Sequence, residues 1–93
     1  MNKYIDLESR YCAHNYHPLP VVLTHGEGVF VWDDSGKKYL DMMSAYSAVS
    51  HGHANPRLVQ LVRDQVGTLS IVSRAFYTDK LGPFLARACE LTG

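Results

Sequence analysis

Two tyrosines occupy places in the sequence where a phenol could recognise a small molecule. Tyr16 lies in a stretch fixed by two prolines, and Tyr46 lies among small residues. A phenol in such a place can stack its ring on an apolar part of a ligand while its hydroxyl bonds a carboxylate or carbonyl group. Residue types alone leave the alternative open, and even favour it: both could be ordinary loop aromatics packed on a core.

A metal site is the second chemistry that the sequence raises, because imidazole and thiolate are the usual zinc ligands. Cys12, His14 and His17 form one candidate group, and His51 and His53 form another. A structural zinc site normally pairs its ligands on tight knuckles, and the sequence has no Cys-x-x-Cys pair. We therefore predict no metal ligand and expect the histidines to serve hydrogen bonding and loop packing. A metal-binding domain through the first group is kept as an alternative.

The sequence predicts no covalent catalyst among its own residues. A Schiff-base lysine needs a desolvated or charge-tuned pocket, whereas all four lysines lie in polar contexts. They are Lys3, Lys37, Lys38 and Lys80. Gly26-x-Gly28 lacks a third glycine and opens no helix, so it predicts a turn rather than a phosphate-binding loop.

Charge and hydropathy exclude several classes of partner. The chain has 93 residues, and its nine basic and nine acidic side chains give a formal net charge of zero. Nucleic acids and anionic membranes select a clustered positive excess, so neither is expected as a partner. No apolar run approaches the roughly 20 residues that cross a bilayer. The first residues match neither a signal nor a transit peptide, and we expect a cytoplasmic location with both cysteines reduced.

Periodicity predicts the elements that must position the two tyrosines. A helix is expected over residues 3–12, and three strands over 21–25, 29–32 and 37–41 form an antiparallel meander with glycine in each turn. Asn55 and Pro56 begin a second helix, and a third begins at Thr78 or near Leu81. Residues 42–53 follow no period, so both tyrosines fall on irregular segments. The predicted fold class is α+β: an N-terminal helix, a three-stranded antiparallel meander and two helices.

Several motifs are similar to those of one enzyme family. They are His14-Asn15-Tyr16-His17-Pro18-Leu19-Pro20, residues 28–33 and 36–41 of the meander, Ser44-Ala45-Tyr46-Ser47-Ala48-Val49, Gly52-His53, and residues 73–77. Together they resemble the N-terminal part of the class III pyridoxal-phosphate-dependent aminotransferases. The His-Asn-Tyr-His-Pro-Leu-Pro and Ser-Ala-Tyr-Ser-Ala-Val motifs are typical of the ornithine aminotransferase branch.

This resemblance implies a homodimeric enzyme of the fold-type-I α/β architecture. The enzyme would transfer the δ-amino group of L-ornithine to 2-oxoglutarate, giving glutamate 5-semialdehyde and glutamate, in arginine and ornithine catabolism and proline synthesis. Residues 1–93 would be the N-terminal segment, with the small-domain meander and the start of the large domain. The cofactor-binding core would be absent from it.

The resemblance also assigns roles to residues. Tyr16 corresponds to a tyrosine that helps hold the substrate α-carboxylate, and Tyr46 to one that lines the pocket and shapes ornithine selection. The Schiff-base lysine would lie beyond position 93, so the isolated chain is predicted to be inactive and not to bind pyridoxal 5'-phosphate alone. Arg74 would lie near the dimer interface or the cofactor entrance. Two alternatives remain: another class III ω-aminotransferase, and a non-catalytic interaction module.

Overall fold

The computed structural model describes residues 2–93 and confirms the α+β class. The chain divides into two compact units, residues 2–60 and Leu61–Gly93. In chain order the elements are α1 (Lys3–Tyr11), β1 (Leu23–Glu27), β2 (Phe30–Asp33), β3 (Lys38–Leu40), α2 (Ser44–Ser47), α3 (Pro56–Thr68) and α4 (Leu81–Thr92). None of the helices within residues 2–93 is long and apolar enough to cross a membrane.

The first helix is capped by a residue that also contacts the sheet. The Asn2 side-chain oxygen accepts hydrogen bonds from the backbone N–H groups of Tyr4 (2.9 Å) and Ile5 (3.4 Å). These bonds satisfy two of the donors that a helix N-terminus leaves unpaired. The Asn2 amide donates to the Asp34 carboxylate, which lies in the turn between β2 and β3. One side chain therefore ties α1 to the meander.

The meander is confirmed, with strand order β1-β2-β3 and both pairs antiparallel. The predicted position of the first strand was wrong by two residues. Gly28 and Val29 alone form the loop, so Glu27 pairs with Phe30, and Gly26 is a strand residue rather than part of the turn. Two-residue hairpin loops favour a glycine with positive φ at their first position, and Gly28 has φ +59°.

The two faces of the sheet are covered differently. Val31 is only 8% exposed and is the single buried apolar residue among residues 2–93. On the opposite face the His25 ring stacks on Trp32 at 4.5 Å between centroids, and the Lys38 ammonium lies 3.9 Å from the Phe30 ring centroid. Many other large apolar side chains are exposed, most of them on helices and loops and two, Leu23 and Leu40, on the sheet.

The turn between β2 and β3 is organised by one carboxylate. Oδ1 of Asp33 accepts hydrogen bonds from the Ser35 hydroxyl (2.7 Å), the Ser35 N–H (3.0 Å) and the Lys37 N–H (2.9 Å). Oδ2 accepts one from the Tyr39 hydroxyl at 2.9 Å. Donors aimed at a carboxylate favour its ionised form. These bonds, the Ser35 hydroxyl first, lower the pKa of Asp33 from 3.8 to about 2.

A capping residue sets the start of α3, and a proline limits where α4 can begin. The Asn55 side chain accepts from the N–H groups of Arg57 and Leu58, which confirms the predicted start of α3 at Pro56. For the last helix, the start near Leu81 is correct and the start at Thr78 is wrong. Proline is tolerated only in the first helical turn, and a start at Leu81 places Pro83 there.

The Asp33 contacts predict a pH dependence of the hairpin. Because the folded-state pKa is lowered, the stability that this carboxylate contributes is fully present above about pH 3.8 and is lost as the pH falls toward 2. Replacing Ser35→Ala removes the largest cause and is expected to move the pKa of Asp33 back toward its ordinary value. Carbon-detected NMR titration of the Asp33 carboxyl measures this. Ser70→Ala, in the other unit, is the control; an unchanged titration in Ser35→Ala would contradict the assignment.

Candidate functional site: the Tyr46 turn and its support

Residues 44–47, predicted to have no regular structure, form a single left-handed turn. The φ angles of Ser44, Ala45, Tyr46 and Ser47 are 54°, 49°, 57° and 71°, and none of these residues is glycine. A left-handed helical conformation costs an L-residue roughly 1–2 kcal/mol, because its Cβ approaches the following carbonyl oxygen. Four such residues in succession persist only when their surroundings hold them.

Asp41 holds the beginning of this turn. Its Oδ1 accepts hydrogen bonds from the backbone N–H groups of Ser44 (2.8 Å) and Met43 (3.2 Å). Its own N–H donates to the Val29 carbonyl at 2.8 Å, so the residue is fixed to the sheet directly after β3. The Ser44 N–H, followed by His53, lowers the pKa of Asp41. The carboxylate is therefore ionised and acts only as an acceptor.

His53 fixes the second oxygen of the same carboxylate. Its Nε2 donates to Asp41 Oδ2 at 2.6 Å, and both side chains are about three-quarters or more buried. The His53 backbone is paired with Gly28 through two hydrogen bonds of 2.8 and 2.9 Å. The imidazole thus reaches the turn from a backbone that is itself attached to the β1–β2 loop.

Two glycines leave room for this arrangement. A Cβ on Gly26 would lie 2.6 Å from Cγ and 2.7 Å from Cβ of His53, closer than carbon atoms approach without displacement. Gly52 has φ +79°, and a Cβ there would lie 3.1 Å from the Gly28 backbone. The sequence therefore needs glycine at both positions for His53 to pack against the sheet.

The turn presents the Tyr46 side chain to solvent. After the turn, the N–H of Val49 donates to the Ser44 carbonyl at 3.0 Å, which closes the loop. Tyr46 is 88% exposed, and its hydroxyl has no hydrogen-bond partner within residues 2–93. A small depression of about 240 Å³ lies beside the turn, lined among others by Ser44, Ser47 and His53. Among residues 2–93, Tyr46 is not packed on a core.

Tyr16 lies on the extended segment that follows α1 and is 78% exposed. The start of this segment is fastened to α1, since His14 Nε2 donates to the Ser9 carbonyl at 2.7 Å. In the part of the chain that the structure describes, no hydrogen bond or ring contact joins Tyr16 to Tyr46. The structure leaves both phenols accessible without bringing them together.

Two of the candidate histidines make the side-chain hydrogen bonds that the sequence predicts: His14 in the N-terminal segment and His53 beside the turn. Within residues 2–93, no three His, Cys, Asp or Glu side chains are placed so that they could hold a metal ion. Cys12, the cysteine of the candidate group, is exposed. Nothing in this geometry supports the alternative of a metal-binding domain.

Sequence reasoning missed Asp41 and the pairing of Asp41 with His53. Asp41 reads as the last residue of a predicted strand, and His53 lies twelve positions later, too far apart for a local pattern to connect them. The signal that the sequence offered was the glycine directly before His53, in the Gly52-His53 dipeptide. Such a glycine indicates close backbone approach, but not the partner that is approached.

The comparisons with known proteins agree on one family. The class-III aminotransferase family matches residues 11–93. The chain therefore belongs to the class III aminotransferase family, and the resemblance stated from its motifs is confirmed.

Individual relatives carry ornithine-related names. An ornithine aminotransferase from Geobacillus sp. is 52% identical over 89 residues, which cover 96% of this chain and 22% of that protein. An acetylornithine aminotransferase structure from Elizabethkingia anophelis superposes with a TM-score of 0.92 at 55% identity, covering 95% of this chain and 23% of that one. A Plasmodium falciparum ornithine δ-aminotransferase structure superposes with a TM-score of 0.93 at 44% identity. The match covers 97% of this chain and 24% of that one. The chain spans less than a quarter of the length of each of these relatives, in their N-terminal segment.

Class III aminotransferases use pyridoxal phosphate, which their lysine holds as a Schiff base. The lysines of this chain do not fit that task, because all four are exposed. Lys37 and Lys38 lie over aromatic rings on the surface, and the Lys80 ammonium lies 3.8 Å from the Asp79 carboxylate. Residues 2–93 therefore offer no desolvated amine for the cofactor.

The close contact at Gly26 predicts an unequal effect of two matched substitutions. Gly26→Ala places a methyl group where the His53 side chain packs. Overpacking of this kind lowers the free energy of unfolding by about 1–3 kcal/mol. Gly67→Ala lies in helix α3, where a Cβ meets nothing within 4 Å. It is expected to stabilise by up to about 1 kcal/mol, because alanine loses less backbone entropy than glycine in a helix. Urea unfolding of the purified chain measures both, and equal effects would contradict this account of Gly26.

Proposed function

We propose that this chain is the N-terminal part of an ornithine aminotransferase, which transfers the δ-amino group of L-ornithine to 2-oxoglutarate, giving glutamate 5-semialdehyde and glutamate. Membership of the class III family gives the reaction type, and identities of about half with ornithine aminotransferases support the donor. In this proposal residues 1–93 supply the small-domain meander and the start of the large domain of a homodimer. The cofactor-binding core lies elsewhere in the enzyme.

One observation of this chain carries the proposal: Tyr46 is held in a left-handed backbone conformation with its ring exposed and its hydroxyl unpaired among residues 2–93. Strain of this kind is stored at ligand sites, where the surroundings hold a side chain for a purpose other than packing. In the proposed enzyme Tyr46 lines the donor pocket and favours ornithine. Tyr16, also exposed and unpaired in the described residues, bonds the donor α-carboxylate.

Holding the far end of the donor is what this reaction requires from such residues. Ornithine has two amino groups, and only the δ-nitrogen is to reach the cofactor. A contact to the carboxylate end orients the chain so that this nitrogen, and not the α-nitrogen, approaches. A phenol on a fixed segment supplies direction without adding charge, and it discriminates against donors that leave its hydroxyl unpaired.

A second donor is favoured by one specific observation. The acetylornithine aminotransferase from E. anophelis is 55% identical over this segment, slightly more than the Geobacillus ornithine aminotransferase. N-acetylornithine also presents a δ-amino group and an α-carboxylate, but its α-nitrogen is an uncharged amide. The alternative function is therefore transfer of the same nitrogen from the acetylated donor.

Phenol-to-phenylalanine substitutions test the assigned roles. The test uses a hybrid enzyme in which this chain replaces the matching segment of the Geobacillus ornithine aminotransferase. Losing one net hydrogen bond costs roughly 1 kcal/mol, so Tyr16→Phe is expected to raise the KM for ornithine about fivefold with little change in kcat. Tyr46→Phe is expected to lower the ratio of kcat/KM for ornithine over N-acetylornithine.

Tyr11→Phe is the matched control, because this tyrosine is 76% exposed, close to the 78% of Tyr16, and lies in none of the family motifs. Unchanged ornithine kinetics and unchanged donor preference in both Tyr16→Phe and Tyr46→Phe would contradict the roles of these phenols. A hybrid that prefers N-acetylornithine before any substitution would favour the second function.

The 93-residue chain alone is expected to be inactive. It has no amine in a desolvated pocket among its described residues, and a lysine acts as a Schiff-base catalyst only in such a pocket. The measurements are ornithine-dependent glutamate formation in the presence of pyridoxal phosphate and the exchange of amino groups between ornithine and 2-oxoglutarate. The intact Geobacillus enzyme is the positive control, and either signal from the chain alone would contradict the proposal.

A further inference from the structure

The left-handed turn needs a restraint, because its four residues would each gain by returning to a right-handed or extended conformation. The backbone bonds within the turn itself are longer, and the shortest of them joins the Val49 N–H to the Ser44 carbonyl at 3.0 Å. The bond from the Ser47 N–H to the Met43 carbonyl is 3.4 Å long, and that from the Ala48 N–H to the Ala45 carbonyl is 3.2 Å. The shortest bond to the turn comes from the Asp41 carboxylate, at 2.8 Å to the Ser44 N–H.

The Asp41 carboxylate can hold the turn only if it is itself held. Its Oδ1 faces the turn, and its Oδ2 faces the His53 ring at 2.6 Å. Charge-assisted bonds of this kind are roughly twice as strong as neutral ones. His53 is held independently of the turn. Its backbone makes two hydrogen bonds to Gly28, and its side chain packs closely over Gly26, which has no Cβ. The β1–β2 hairpin therefore holds His53, His53 holds the Asp41 carboxylate, and this carboxylate holds the turn that carries Tyr46.

We infer that Asp41 and His53 are positioning residues for recognition of the amino donor, since their pair fixes the turn that directs Tyr46. This inference rests on the proposed role of Tyr46 in donor selection. Neither residue touches the donor in this account. Their effect passes through the backbone of residues 43–46, and removing the pair releases Tyr46 into conformations that do not favour ornithine.

Substitutions at His53 separate its hydrogen bond from its volume. His53→Phe keeps a ring above Gly26 but removes the Nε2 donor, whereas His53→Gln places an amide donor close to the position of Nε2. In the hybrid enzyme, His53→Phe is expected to raise the KM for ornithine roughly three- to tenfold, with kcat changed less. His53→Gln is expected to restore most of this loss. His51→Gln is the control, because His51 is exposed and makes no side-chain hydrogen bond in the described residues.

A double substitution shows whether the effect passes through Tyr46. If it does, Asp41→Asn raises the KM for ornithine in the original hybrid but changes it little when Tyr46→Phe is already present. A merely structural loss would instead lower activity by the same factor in both backgrounds. Equal factors would overturn the inference.

Hydrogen exchange measures the turn itself, without reference to activity. In His53→Phe and Asp41→Asn, peptides covering residues 42–50 are expected to exchange faster than in the unsubstituted hybrid, while peptides covering 30–40 are unchanged. Unchanged exchange over 42–50 would overturn the inference and leave the proposed function intact. Faster exchange with unaltered ornithine kinetics would also overturn it, and it would count against the role of Tyr46 in the proposed function.

Discussion

The pair formed by His53 and Asp41 is the constraint on which the proposed site depends. A single carboxylate uses one oxygen to accept from the imidazole and the other to accept from the backbone of a left-handed turn. Without an ionised acceptor at this place, the N–H groups of Met43 and Ser44 would lose their partner while residues 44–47 remained in the left-handed conformation. The cost of four left-handed residues is therefore met by contacts that begin in the sheet.

The sheet serves mainly as the support for that pair. Its buried apolar content is small, since Val31 alone is buried among residues 2–93. Much of its order comes from polar contacts instead: the Asp33 carboxylate organises one turn, and Gly28 connects the other to His53. Large apolar side chains, among them Leu23 and Leu40 of the sheet, are exposed.

Orientation is the contribution that these residues can make to an aminotransferase. Electron withdrawal belongs to the cofactor, and attachment belongs to a lysine that residues 2–93 do not provide in a suitable environment. An exposed phenol on a restrained turn can still decide which donor fits, because recognition depends on where a hydroxyl is held more than on how strongly it bonds.

The sequence by itself determined the α+β class, the meander, the start of α3 at Pro56, and the two tyrosines as candidates. Each of these follows from local patterns: period two, capping residues, and phenols outside periodic segments. Only the tertiary structure decided that Gly26 belongs to a strand, that residues 44–47 turn left-handed, and that Asp41 meets His53. These features depend on strand register and on a contact across twelve residues, and no local pattern of residue types encodes a pairing at that separation.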